Sequence, residues 1–322
     1  MTGEPGGAAA RSRRADVRGC DGTAGGRRVS APANLLLLGE YAVLEEGGLG
    51  LAVAPDVRAV ATTAAGAPTV RGVMPGGEVV WPGDRGVLGG VADYLHERFG
   101  PAPDGVEVDT SSFFRADGRK RGFGSSASLA VALTALWGGF DGTPADRNRV
   151  RGVATEAHRA AQGGRGSGYD TAVSALGGVV LFTGGTDPQA RRVELPWLPP
   201  VSLFAGRDPV ATTGAVGRYR AWRDANARAA DRFLNRSNEL VDRFAAARSW
   251  DEARETLVVY RELTLELGDV VGVPARMEPP APVGEDGVSK AVGAGDELGV
   301  VLAPGTAADR AVTLAEEGVR WE

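Results

Sequence analysis

From residue 125 to residue 137 the chain reads Ser-Ser-Ala-Ser-Leu-Ala-Val-Ala-Leu-Thr-Ala-Leu-Trp, apolar almost all round. A helix with no polar face has to be buried, so the pattern predicts a core helix over Ser125 to Trp137. Other segments are one-sided. Leu88, Val91, Ala92 and Leu95 recur at helical spacing and predict a helix over Leu88 to Phe99. Thr143-Pro144 supplies a cap and a first-turn proline for a helix running to about Gln162. From Ala211 to Leu267 the pattern is helical. Phe233, Ser237, Leu240, Val241 and Phe244 share one face there, and Leu257, Tyr260, Arg261 and Thr264 share another. A short helix is expected at Thr171 to Leu176 and a closing one at Ala307 to Glu317. Strands are expected over Val29 to Leu38, Leu49 to Val60, Val106 to Thr110, Val179 to Phe182, Val201 to Ala205 and Leu298 to Leu302. The prolines at 188, 196, 199 and 200 mark Gly184 to Pro200 as a boundary between two halves. Strands and helices interleave in both halves, which is a mixed α+β pattern.

Composition narrows the class. The 322 residues are 43% apolar and 24% charged, as in an ordinary globular protein, so disorder of the whole chain is excluded. No apolar run approaches the roughly 18 residues of a membrane-spanning helix. Net charge is −5, with no basic block beyond Arg11 to Arg14, so a polymeric nucleic acid is not an expected partner. One Cys (Cys20) and two His leave no internal disulfide and almost exclude a Cys/His zinc site. Residues 1–28 lack the apolar core of a secretory signal and are expected to be a flexible tail, with the cytoplasm as default location. Of 36 basic residues only Lys120 and Lys290 are lysines, and Ile is absent, a bias of GC-rich genes.

Both lysines stand beside Gly-rich loops. Lys120 precedes Gly122-Phe123-Gly124-Ser125-Ser126-Ala127-Ser128, a turn leading straight into the apolar helix. The first N–H groups of a helix lack intrahelical partners and sit at the positive end of its dipole. Glycines let backbone approach an anion and serines add hydroxyls, so the segment suits a phosphate. It is not a Walker A loop, and a serine-capped turn accounts for the same residues. A compact ammonium at Lys120 suits a phosphoryl oxygen. Lys290 precedes Gly293-Ala294-Gly295-Asp296-Glu297, either a β-turn or a second wall of the same site. A third glycine run, Gly166-Ser167-Gly168-Tyr169-Asp170, ends on a carboxylate. That group suits either a role toward a substrate hydroxyl or a helix cap. His158 and Glu156 lie upstream on the preceding helix, where Glu156 reads as a solvated residue within possible reach of a metal.

Together these segments resemble the GHMP small-molecule kinases. Ser30 to Leu44, containing Gly39-Glu40-Tyr41-Ala42-Val43-Leu44, resembles their first motif. Lys120 to Ser128 resembles the second, and Gly293 to Gly299 a shortened third, in the family's order from about residue 28 onward. Within the family, His158-Arg-Ala-Ala-Gln-Gly-Gly-Arg-Gly-Ser-Gly-Tyr-Asp170 is most similar to bacterial phosphomevalonate kinases. The resemblance implies a two-lobed α+β fold, with an N-terminal lobe like ribosomal protein S5 domain 2 (29–190) and a ferredoxin-like C-terminal lobe (191–322). It implies ATP held by Gly122, Phe123, Gly124, Ser125, Ser126 and Ala127, with Mg²⁺ on Ser126. Lys120 and Asp170 would be catalytic. Asn34, His158, Arg165, Ser167, Gly293, Ala294 and Gly295 would face the acceptor. The expected reaction is phosphorylation of 5-phosphomevalonate. A mevalonate kinase or another family kinase, or a nucleotide-binding relative with impaired turnover, are the alternatives. The expected partner is a small molecule, with neither nucleic acid nor membrane, and the expected assembly is a monomer or homodimer. Two departures stand out: Asn34 occupies the place of the family's usual Lys, and the third motif lacks two residues of its glycine run.

Overall fold

The structure, a computed structural model, describes residues 26–102, 105–206, 212–293, 295, 297–306 and 311–322. Most of the expected tail, Cys20, Ala294, Asp296 and residues 307–310 lie outside the described residues.

Three sheets carry the chain. Strands β1 (Arg28–Pro32), β4 (Arg58–Ala64), β5 (Val70–Met74), β6 (Gly77–Trp81), β7 (Gly105–Asp109) and β13 (Arg320–Trp321) form a six-stranded sheet ordered β13-β1-β4-β7-β5-β6. Strands β2 (Leu35–Leu38), β3 (Leu49–Val53), β8 (Val179–Thr183) and β9 (Gln189–Val193) form an antiparallel sheet in the order β2-β3-β8-β9. Strands β10 (Val201–Ala205), β12 (Leu298–Leu302) and β11 (Val288–Val292) form the third. The helices are α1 (Val87–Phe99), α2 (Ser125–Trp137), α3 (Pro144–Ala161), α4 (Tyr169–Leu176), α5 (Thr212–Ala225), α6 (Ala227–Ala246) and α7 (Trp250–Val271).

The apolar helix α2 is buried along Ala127 to Trp137, between the six-stranded sheet and helices α1 and α3. α3 opens as its sequence predicts: Asp146 N–H donates to the Thr143 side chain, and Pro144 occupies the first turn. A second core joins the other two sheets. Leu35 and Leu37 of β2 meet Leu240 of α6, Leu257 and Tyr260 of α7, and Val288 and Leu298 of the third sheet. Leu36 points the other way, toward Ala172 and Val173 of α4. Strict alternation would send Leu38 with Leu36, but the register shifts between Leu36 and Leu38 and Leu38 joins the second core.

Several expectations are corrected. The single strand expected over 29–38 is two, broken at Ala33-Asn34, and each half belongs to a different sheet. Pro55 similarly divides the expected strand over 49–60 into β3 and β4. The β5–β6 hairpin and strands β9, β11 and β13 carry weak alternation and were not anticipated. The closing helix is absent from residues 311–317, because the backbone there bonds to the sheets instead of to itself. Val312 N–H donates to Val201 O, Thr313 O accepts from Asp56 N–H, and Ala315 N–H donates to Ala54 O. Of the second predicted face, Leu257, Tyr260 and Thr264 are buried, whereas Arg261 is half-buried.

Candidate functional site

Two glycine-entered helices meet at one place. Gly124 precedes α2 in the left-handed conformation (φ 79°), and Gly168 precedes α4 in the same way (φ 92°). Neither helix has a side-chain cap at that position. The first-turn N–H groups of α2 are left for other acceptors, whereas in α4 Tyr169 N–H donates to Ser167 Oγ and Thr171 N–H to Asp170 Oδ1. A Cβ on residue 124 would stand 2.2 Å from both the nitrogen and the oxygen of the Asn34 amide, so only Gly fits there. Phe123 anchors the loop by packing 6.2 Å from Phe113, centroid to centroid. Ser125 and Ser126 are half-buried, and Ala127 is buried.

His158, at the end of α3, sits between the two helix starts and is 4% exposed. Its Nδ1 lies 3.4 Å from Asp170 Oδ2, and its Nε2 lies 3.2 Å from Ser126 Oγ. Gln162 Nε2 lies 2.7 Å from the same His158 Nε2. Asp170 is in the first turn of α4, and its Oδ1 accepts from the Thr171 N–H at 2.8 Å. Asp170 is therefore not the N-cap; Gly168 is. Deeper in, Asn34 Nδ2 donates to Gly124 O and to Ser174 Oγ, while Ser128 Oγ donates to Pro32 O.

The other predicted residues surround this centre. Lys120 is exposed, its Nζ 5.9 Å above the Phe114 ring. Arg165 is exposed and Ser167 is buried. The third glycine segment lies beside the second: a Cβ on Gly122 would come within 3.8 Å of Glu297 Oε1 and 3.9 Å of Leu298. Gly293 and Gly295 adopt positive φ in that segment. Glu156 points away, bonded to Tyr94 and Arg98, so the metal role considered for it has no support.

Lys290 departs from expectation. It is 2% exposed and donates to Leu37 O, Ala291 O and the Glu40 carboxylate. It faces the core between the second and third sheets, where its partner is Glu40 and not a phosphate loop. Burial raises the Glu40 pKa, an effect the adjoining Lys290 partly offsets. Tyr260 stacks below the ammonium at 5.6 Å, and its hydroxyl accepts from the Gly39 N–H at 2.6 Å. Tyr41, next in the chain, is pushed up to about 12 by burial and then by the Glu40 charge. Sequence reasoning missed this pair, together with Ser174, Ser128 and Gln162. For Ser174 the usable signal was its i+4 spacing from Asp170.

Comparison with known proteins adds the following. Residues 87–178 match the family model for the GHMP kinases N terminal domain. The phosphomevalonate kinase of Saccharolobus solfataricus is 29% identical over 164 residues, 48% of this chain and 48% of that protein; the match thus spans about half its length. Two solved structures share the fold across most of the chain. Streptococcus pneumoniae phosphomevalonate kinase in complex with phosphomevalonate and AMPPNP superposes with TM-score 0.65 at 17% identity, covering 86% of this chain and 92% of that one. Methanococcus jannaschii mevalonate kinase superposes with TM-score 0.64 at 14% identity, covering 93% and 98%. The chain has the two-lobed α+β fold of the GHMP kinases, and its residues 87–178 match the model of their N-terminal domain.

Proposed function

We propose that the protein transfers a phosphoryl group from ATP to a small-molecule acceptor, and that the acceptor is 5-phosphomevalonate. The observation that carries the reading is the pair of uncapped helix starts at Gly124 and Gly168, tied together through Ser126, His158 and Asp170. The free N–H groups at the start of α2 suit an anion, while the start of α4 presents the Asp170 carboxylate. Phosphoryl transfer asks a protein mainly for positioning and charge stabilisation, and these residues suit both. The relatives add weight: the half-length match and one of the two structural neighbours are phosphomevalonate kinases.

In this reading the phosphates of ATP lie along Gly122 to Ala127. The bond from the γ-phosphorus to the bridging oxygen breaks as the acceptor oxygen bonds to phosphorus. Lys120 offsets charge on the transferring group, and Asp170 orients the acceptor or takes its proton. Arg165, Ser167 and the 293–295 loop face the acceptor. Residues 29–190 and 191–322 form the two lobes, except that the end of β9 pairs with β8 and β13 returns to the first sheet.

Among the described residues, no group of three or more His, Cys, Asp or Glu is placed to hold a metal. Mg²⁺ usually takes only one or two protein oxygens and completes its shell with phosphates and water. The Ser126 hydroxyl and Asp170 carboxylate fit that habit. Bound there, Mg²⁺ would neutralise charge on the phosphates.

The test is coupled ADP release with phosphomevalonate, mevalonate and other small alcohols. Acceleration by phosphomevalonate is expected, and its absence sinks the assignment. Asn34, expected to face the acceptor, is buried behind the loop on Gly124 and Ser174, so it gives no measure of the acceptor's charge. Mevalonate is the second acceptor, because a mevalonate kinase shares the fold over 93% of this chain.

A further inference from the structure

Helices α2 and α4 are joined by two buried polar bridges that come from elsewhere in the chain. Asn34, in the break between β1 and β2, donates from one amide nitrogen to Gly124 O (3.2 Å) and Ser174 Oγ (3.1 Å). His158, on α3, reaches Ser126 Oγ with Nε2 (3.2 Å) and Asp170 Oδ2 with Nδ1 (3.4 Å). Gly124 is the N-cap of α2, and Ser126 lies in its first turn. Asp170 and Ser174 are one helical turn apart on α4, so they share a face. Each bridge therefore spans the same two elements. Asn34 is 3% exposed and His158 is 4% exposed.

The hydrogen-bond directions are consistent. The Gln162 amide approaching His158 Nε2 makes that nitrogen an acceptor, which leaves the proton on Nδ1 to donate to Asp170. The single lone pair of Nε2 is then shared between the Gln162 amide at 2.7 Å and the Ser126 hydroxyl at 3.2 Å, and the lone pairs of Ser126 Oγ stay available to a cation. Both Asp170 oxygens are engaged, by His158 and by the Thr171 N–H, so its orientation is fixed.

We propose that Asn34 and His158 are paired positioning residues: together they set the spacing between the anion loop at the start of α2 and the Asp170 carboxylate on α4. The proposal rests on the phosphoryl-transfer reading above. It gives Asn34 a task different from that of a substrate-facing cation. The amide fixes the loop from behind, and its bulk requires Gly at 124.

Two residues that maintain one distance are redundant once that distance is lost, so a double-mutant cycle tests the idea. An error of about 1 Å at a reacting centre costs about 10²-fold, so N34A and H158A should each lower kcat by about that factor. Kd for a non-hydrolysed ATP analogue should stay within about threefold, because the first-turn N–H groups remain. The double variant should fall little further. A multiplicative loss of about 10⁴-fold would show two independent effects and overturn the proposal. Should the alanine variants fail to fold, H158N keeps a donor near the Nδ1 position and H158Q a polar group near Nε2. Each should lose kcat at unchanged analogue affinity, and wild-type kcat in either overturns the proposal. A wild-type protein that transfers phosphate to no acceptor sinks the phosphoryl-transfer reading alone. The positioning claim is then read from amide exchange. N34A and H158Q should each loosen the first turns of α2 and α4 together, and loosening confined to one helix overturns it.

Discussion

Lys290 and Glu40 are joined side chain to side chain in the interior, 250 positions apart in sequence, linking β11 to the turn after β2. Each is a buried charge balanced by the other. Removing one partner of such a pair costs far more than replacing both. K290M should therefore lose about 3–5 kcal/mol of unfolding free energy. The double variant E40L/K290M should recover most of it. Denaturant unfolding of both variants, with unchanged slopes, measures the difference.

The same pair has a pH signature. Burial raises the folded pKa of Glu40, so its contribution to stability is full below the ordinary carboxylate value and is lost as pH rises through the folded value. Lys290 holds that rise in check. Without it, the folded value moves further up, and K290M should lose stability more steeply than wild type as pH increases from about 5 to 8. Parallel pH profiles of unfolding free energy for the two proteins would contradict this.

Gly124→Ala should cost about 1–3 kcal/mol and weaken binding of ATP analogues, since it combines a left-handed φ with the Asn34 clash. G124A/N34A removes the clash but not the φ strain, so it should restore part of the stability. Thermal unfolding and calorimetric titration separate the two effects.

Asp170→Ala should reduce kcat by several orders of magnitude, roughly 10²–10⁴-fold if the carboxylate takes the acceptor proton. The expected loss of stability is small, because Gly168 and not Asp170 occupies the cap position. Steady-state rates beside melting curves give the answer.

Thr143→Ala removes the side-chain acceptor for Asp146 N–H and should cost about 1 kcal/mol without touching turnover. It serves as the control for purely structural loss.

Much of the fold was legible where local pattern decides structure. α2 announced itself because thirteen consecutive residues leave no polar face. α3 did so because cap and proline coincide. Residues 311–317 misled because a helical apolar spacing says nothing of the sheet edges at Ala54 and Val201 that take the backbone bonds of Ala315 and Val312. The two lysines show the same limit at the site. Both stand beside glycine loops in sequence, yet Lys120 is exposed on its loop while Lys290 is buried against Glu40. Which way a strand residue faces depends on the partner strand, and β11 was itself unseen. Ser126, His158 and Asp170 were each picked out singly, but contact among them depends on how α2, α3 and α4 pack.

Positions 34 and 124 form a unit of inheritance. While residue 34 is Asn, a side chain at 124 meets it at 2.2 Å, so lineages can change 124 only after 34 has become smaller. A longer residue arriving at 34 must in turn leave the space beneath the loop and take another exit. The order in which substitutions arrive therefore decides which descendants of this sequence can be reached.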